Sequence, residues 1–177
     1  MKNICLLMLC ALPFTSCSQS NQKETVSPPI TQTSLPDTFT TLKFELDGKP
    51  CMAVINNKFK DFKGKAEYSL SLFLTVKTIE KDANGHPTEK ESVLFHELQA
   101  RIMKDLGLIL PYCHTGTTTM NGYRDILLYI SPSDQDKAIA VLNKIKQENP
   151  RFESYTFEPD PEWEAVASFY EAIPAKN

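Results

Sequence analysis

The strongest constraint on the fold is a regular succession of strand-type and helix-type segments between residues 40 and 177. Strand-type segments carry apolar residues at every second position, whereas the helical ones repeat them every three or four positions. In chain order the pattern predicts β-β-β-α-β-β-α-β-α. This order favours an antiparallel sheet covered by helices, so we predict the α+β class.

Two turns and one helix start have well-defined sequence patterns. Asp47-Gly48 and Asn121-Gly122 are typical of tight β-hairpin turns. Thr88 and Glu91 match the capping box that begins a helix, and Gly107 ends that helix. Its predicted buried stripe repeats every four residues and consists of Leu94, Leu98, Ile102 and Leu106.

From its third strand onward, the predicted order is β-α-β-β-α-β, the split βαβ arrangement. We therefore predict a ferredoxin-like βαββαβ core with an extra N-terminal β-hairpin and a C-terminal helix. Asp160 caps that last helix in this prediction, and Pro161 occupies its first turn.

Residues 1–17 have the layout of a secretory signal. A basic Lys2 precedes an apolar run that is too short to span a bilayer, and small residues precede Cys17. Cys17 resembles the lipidated residue of bacterial lipoproteins, which becomes the mature N-terminus. An ordinary cleaved signal and a short uncleaved anchor are the alternatives. Position 18 is Ser and not the Asp that is linked with retention in the inner membrane. The resemblance therefore favours the outer membrane of a bacterial envelope.

Residues 18–39 are rich in Ser, Thr, Gln and Pro and lack apolar periodicity. This composition is typical of a flexible tether between a domain and its lipid, and an ordered arm packed on the domain is the alternative. The folded domain is then expected to span residues 40–177.

Charge excludes one class of partner. Removal of residues 1–17 takes away one Lys and no acidic residue, which leaves 18 basic against 22 acidic side chains. No basic block or stripe interrupts this acidic chain, and a nucleic-acid-binding surface needs one. We expect the partners to be the membrane, through lipid on Cys17, and a protein or small ligand of unknown identity, and not nucleic acid.

Five cysteines reduce to two in the folded part. Cys5 and Cys10 leave with the signal, and Cys17 carries the lipid. Cys51 and Cys113 lie in strand-type segments, where buried thiols are common, so we favour two free thiols. A disulfide between them stays open because an exported protein can hold one. A catalytic Cys113 ranks third, because nothing nearby in sequence lowers its pKa.

The histidines do not form a metal-binding pattern. His96-Glu97 begins like the metalloprotease helix motif, but Ala100 stands where the second histidine must be. Cys113 and His114 are neighbours on a strand, so they point to opposite faces. The sequence also lacks nucleotide-binding loops and a nucleophile elbow. We predict no metal, no cofactor and no catalytic residues.

Three segments together resemble a known family. They are residues 85–87 followed by Glu91, Leu94 and Glu97; residues 117–129; and residues 160–164 with Tyr170. In this order and spacing they resemble DUF695, a bacterial family of unknown function. That family looks related to the regulator of ribonuclease E activity B, which has a ferredoxin-like fold. The resemblance covers about residues 41–173. It implies that fold, no established catalytic residues, and at most a protein-binding module.

Five residues are candidates for a binding site: Arg124, Glu97, Tyr129, Asp160 and Trp163. Arg124 can pair with Glu97 or Asp160, or bind a carboxylate ligand. Tyr129, Asp160 and Trp163 also have structural explanations, because they fit a half-buried strand, a helix cap and a core anchor.

The predicted function is that of a lipid-anchored envelope protein with a non-catalytic domain that binds a protein or a small ligand. A small envelope hydrolase that uses carboxylates or Cys113 is the first alternative. An immunity protein against a toxin is the second. Convergence of Glu97, Arg124, His114 and Cys113 in one pocket would favour the hydrolase.

Overall fold

The computed structural model describes residues 38–174. The predicted signal, residues 1–17, and residues 18–37 of the predicted tether lie outside the described residues. The described chain is an α+β domain, as predicted. Its first strand begins at Phe39, within the last residues assigned to the tether. No helix in this range has the length and apolarity that crossing a membrane requires.

Six strands and three α-helices make up residues 38–174, and they follow one another in the predicted order. They are β1 (Phe39–Leu46), β2 (Lys49–Asn56), β3 (Leu70–Lys77), α1 (Glu89–Gly107), β4 (Tyr112–Met120), β5 (Tyr123–Ile130), α2 (Gln135–Glu148), β6 (Phe152–Pro159) and α3 (Glu164–Ala172). Two short 3₁₀ turns, Asn57–Phe59 and Pro132–Asp134, precede β3 and α2.

All the strands form one antiparallel sheet in the order β1-β2-β4-β5-β3-β6. The two predicted hairpin turns connect β1 to β2 and β4 to β5. Asp47, Gly48, Asn121 and Gly122 all have positive φ, between 49° and 85°. Two consecutive positive φ angles match the twist of the flanking strands, which explains the Asp-Gly and Asn-Gly pairs.

Each face of the sheet packs against a different set of helices. One cluster lies beneath α1 and α2 and includes Leu72, Leu74, Ile102, Leu128 and Leu142. The cluster on the opposite face includes Ala53, Ile55, Tyr129, Trp163 and Val166, and α3 covers it. Neighbouring residues of a strand therefore belong to different clusters, and the strand register decides which helix each side chain meets.

Helix α1 starts and ends where the sequence predicts, but its buried stripe differs by one position. Phe95, not Leu94, joins Leu98 and Ile102 in the core, while Leu94 is only partly buried. Every-four spacing drifts around a helix of 3.6 residues per turn, so Leu94 falls toward the flank that faces α2.

The start of α3 also differs from the prediction. The helix begins at Glu164, and Trp163 precedes it in the left-handed region with φ of 62°. Pro161 therefore lies in a turn and not in the first helical turn. Asp160 still acts as the cap, because its carboxylate accepts hydrogen bonds from the amides of Glu164 (2.8 Å) and Ala165 (3.0 Å).

Candidate functional site

Arg124 is a buried arginine near the start of β5. It pairs with Thr119 of β4 and Val76 of β3, on the face that α1 covers. Only 7% of its surface is exposed, although the aliphatic Ile126 and Leu128 occupy the next positions on this face. An arginine is rarely buried so deeply unless it is paired.

The guanidinium of Arg124 has an aromatic neighbour but few polar ones. Its Cζ lies 3.8 Å from the ring centroid of Phe95, in a cation–π contact. Its Nε and Nη1 atoms are buried, and neither has a hydrogen-bond partner in the described part of the chain. Burial lowers the pKa of Arg124 to about 10, so the group stays charged at neutral pH. Buried charged donors without acceptors are costly, and such exceptions call for an explanation.

Neither of the two predicted carboxylate partners reaches Arg124. Glu97 is exposed and lies with Arg101 and Asn149 around a surface depression on the α2 side of α1. It follows Phe95 by two residues, which rotates it about 200° around the helix. Asp160 bonds to Tyr129, whose side chain belongs to the opposite face of the sheet. Among residues 38–174, Arg124 forms no ion pair, and the predicted pairings are wrong.

His96 is the titratable neighbour of Arg124. Its ring centroid lies 5.7 Å from that of Phe95. Partial desolvation, and then the positive charge of Arg124, lower the pKa of His96. The imidazole therefore stays neutral at pH 7, which leaves Arg124 as the positive charge at this position.

Glu91 is a buried carboxylate whose hydrogen bonds are already made. Its Oε1 and Oε2 accept from Nη2 (2.7 Å) and Nε (3.3 Å) of Arg151, and Oε2 also accepts from the amide of Ile79. The Arg151 hydrogen bond is the main reason that the pKa of Glu91 is lowered. The Thr88 hydroxyl accepts from the amide of Glu91, as the capping box predicts, but the reciprocal bond is replaced by this ion pair.

Tyr129, Asp160 and Trp163 form one buried cluster. Tyr129 donates to Asp160 Oδ2 at 2.6 Å, and its ring stacks on that of Trp163 with centroids 4.2 Å apart. Trp163 Nε1 donates to the carbonyl of Tyr68 at 2.8 Å. All three side chains are buried. They therefore support the fold, and their role as binding residues stays a prediction.

Cys51 and Cys113 are both buried and both free. Met52, the neighbour of Cys51, lies opposite Thr119 of β4. Cys113 lies six residues from Thr119 along β4, so the Cα atoms of the two cysteines are about 20 Å apart. A disulfide needs Cα atoms within about 7 Å. The bridge that the sequence left open is therefore not formed, and the two-thiol alternative describes the structure.

Cys113 is poorly suited to act as a nucleophile. Burial raises the pKa of its thiol to about 12. His114 belongs to the opposite strand face, and Glu97 lies on the exposed surface of α1. Glu97, Arg124, His114 and Cys113 do not converge in one pocket, which was the arrangement that would have favoured a hydrolase.

We expect Cys113 to resist alkylation in the folded protein. A pKa near 12 leaves roughly one thiol in ten thousand ionised at pH 8, and burial further restricts access. Iodoacetamide labelling followed by peptide mass spectrometry should show slow modification of Cys113 in the native chain. The control is the same chain in guanidinium, where labelling should be fast. Rapid labelling of native Cys113 would contradict this assignment.

No group of three or more His, Cys, Asp or Glu side chains within the described range is placed to hold a metal ion. The sequence did not reveal that Arg124 has no partner among the described residues, because a lone arginine in a strand gives no sign of which groups surround it. The sequence also missed the Glu91–Arg151 pair, because its partners are 60 residues apart.

Residues 38–174 form an α+β domain with a six-stranded antiparallel sheet, three α-helices and, beneath the first helix, a buried arginine that has no ion-pair partner in this range. The chain belongs to DUF695, described as a family of unknown function, whose model matches residues 38–170. No curated protein and no solved structure matches it significantly.

Proposed function

We propose that this DUF695 member is a lipid-anchored protein of the bacterial envelope, whose domain binds a protein or a small ligand without catalysis. The observation that carries the binding role is Arg124, with its buried and unpartnered Nε and Nη1. A charged fork with open donors supports recognition of an external acceptor, because a ligand can supply the hydrogen bonds that the domain does not.

The address rests on residues 1–17 and on Ser18. The short basic start, the apolar run and the small residues before Cys17 support lipidation of that cysteine. Ser18 supports the outer membrane over the inner membrane.

We also propose that the fold is ferredoxin-like with an added β1–β2 hairpin, and that the family is related to the regulator of ribonuclease E activity B. The sub-order β4-β5-β3-β6, with α1 and α2 packed on one face, supports this relationship. The regulator's partner is cytoplasmic, so a lipid-anchored relative needs a different one.

The address is tested by measuring the N-terminus of the native protein. Intact-mass spectrometry of the chain purified from membranes should find a mature polypeptide that starts at an acylated Cys17. Cys17→Ser should release the protein from the membrane fraction without changing its circular dichroism. A native chain that begins at Met1 without acylation would overturn the lipid anchor.

The binding role is tested by affinity capture from solubilised envelopes. The full chain and its Cys17→Ser form should recover the same partner, because both contain the same domain. Hydrolysis of a substrate by the pure protein, abolished by Cys113→Ala or Glu97→Gln, would overturn the non-catalytic role in favour of the hydrolase. A captured toxin that the protein neutralises would assign the binding role to immunity.

A further inference from the structure

We propose that Arg124 binds a carboxylate group of the ligand, in a site that Arg124 forms with the neighbouring His96 and Thr119. This inference rests on the proposed binding function and names the chemical class that the site recognises. The ligand's oxygens would bond to the end of the guanidinium, where the buried Nη1 has no hydrogen-bond partner among residues 38–174.

The Phe95 ring orients this donor set. The ring covers one face of the planar guanidinium at 3.8 Å, while the N–H groups of an arginine lie in the plane of the guanidinium. Within residues 38–174, the buried Nε and Nη1 have no acceptor beside this ring. A carboxylate can bond to Nη1 and Nη2 together, in an end-on bidentate arrangement that lysine cannot reproduce. Nε donates on a different edge of the guanidinium and is not bonded by the same carboxylate.

Residues 38–174 do not provide an acceptor for the buried donors of Arg124. Glu97 lies on the other flank of α1, and Glu91 is bonded to Arg151. Asp125 follows Arg124 but points to the other face, where it accepts from Thr75 at 2.8 Å and Thr118 at 3.2 Å. An external carboxylate is the group that completes the site.

The net charge of the proposed site favours a carboxylate over a phosphate as its ligand. Arg124 supplies one positive charge, and His96 beside it is neutral at pH 7. A phosphate dianion that enters a largely buried site needs more than one cation to offset its desolvation. A monoanion balances the single guanidinium. Thr119, directly across from Arg124 in the β4–β5 register, adds a hydroxyl on the same face.

The ligand's approach is from the surface beside His96. Arg124 retains 7% exposure, and His96, the residue that follows Phe95 in α1, is exposed. An anion bound there stabilises the protonated imidazole and therefore raises the pKa of His96. His96 is thus a built-in reporter for occupation of the site.

The test is an NMR titration of the ¹⁵N-labelled full chain at constant ionic strength. The probes are sodium acetate, sodium phosphate and sodium chloride. Two further probes are a short peptide with a free C-terminal carboxylate and the same peptide amidated. Acetate should shift the Arg124 Nε–H resonance to saturation and raise the pKa of His96. The paired peptides distinguish a peptide terminus from a small acid as the source of the carboxylate.

Two variants provide the comparison. Arg124→Lys keeps the charge but loses the fork, so acetate affinity should fall by about tenfold or more. Arg101→Lys changes an exposed arginine on the other flank of α1, where it pairs with Glu148 and Asp105, and should leave the affinity unchanged. If Arg124→Lys does not fold, the wild-type comparison of acetate with chloride decides the outcome.

Three results would overturn the carboxylate site: equal effects of acetate and chloride, tighter binding of phosphate than of acetate, or full acetate affinity in Arg124→Lys. None of them depends on lipidation or on capture. A captured partner whose binding persists in Arg124→Lys would leave the binding function intact and remove Arg124 from it. Saturable acetate binding without any captured partner would support the carboxylate site and leave the protein-binding role unsupported.

Discussion

Replacing Trp163 by alanine is expected to lower the free energy of unfolding by about 4 kcal/mol. The indole is 1% exposed and stacks on Tyr129, and Phe59 and Phe62 lie within 6 Å of its ring centroid. Truncation removes this apolar contact area and leaves a cavity between α3 and the sheet. It also leaves the carbonyl of Tyr68 without its indole donor.

Urea unfolding followed by circular dichroism measures this effect. Trp163→Phe is the matched control, because it keeps an aromatic ring in the cavity and loses the N–H donor, so its cost should be less than half as large. A loss below about 1 kcal/mol for Trp163→Ala would contradict the core role and return Trp163 to consideration as a contact residue.

Replacing Asp160 by alanine is expected to lower the free energy of unfolding by about 3 kcal/mol. The change removes the acceptor of the buried Tyr129 hydroxyl and the cap of α3 at the amides of Glu164 and Ala165. An unsatisfied buried hydroxyl and a lost helix cap each cost about 1 to 2 kcal/mol. Asp136→Ala, at the exposed start of α2, is the control and should cost less than about 1 kcal/mol.

The same carboxylate makes stability depend on pH. Burial opposes ionisation of Asp160, but hydrogen bonds from Tyr129 and from the first amides of α3 outweigh it, and the pKa is lowered. Its contribution is therefore present above the unfolded pKa of about 4 and is lost as pH falls through the folded pKa. Unfolding measured from pH 7 to pH 3 should show a smaller decline for Asp160→Ala than for the native chain. Equal declines would contradict this account.

These predictions change the meaning of the segments through which the sequence resembles its family. The segment at 160–164 caps α3 and anchors Trp163 in the core. Asn121-Gly122 makes the positive-φ turn that joins β4 to β5. Much of the resemblance therefore reports what the fold requires. Arg124 is different, because its buried and unpaired donors destabilise the isolated domain.

The sequence by itself determined the features that depend on neighbouring residues. The Asp-Gly and Asn-Gly turns, the Thr88 cap and the end of α1 at Gly107 follow from local backbone preferences and hydrogen bonds. The alternating apolar pattern also predicted the order of the nine strands and helices and the α+β class.

Only the tertiary structure decided what depends on register and on packing between distant segments. It separated Cys51 from Cys113, gave Glu91 to Arg151 and turned Glu97 away from Arg124. A shift of one residue in a strand, or of 100° around a helix, changes every such contact while the local pattern stays the same. The unpaired state of Arg124 is therefore a property of the folded chain, because it arises from which groups the fold brings near that side chain and which it keeps away.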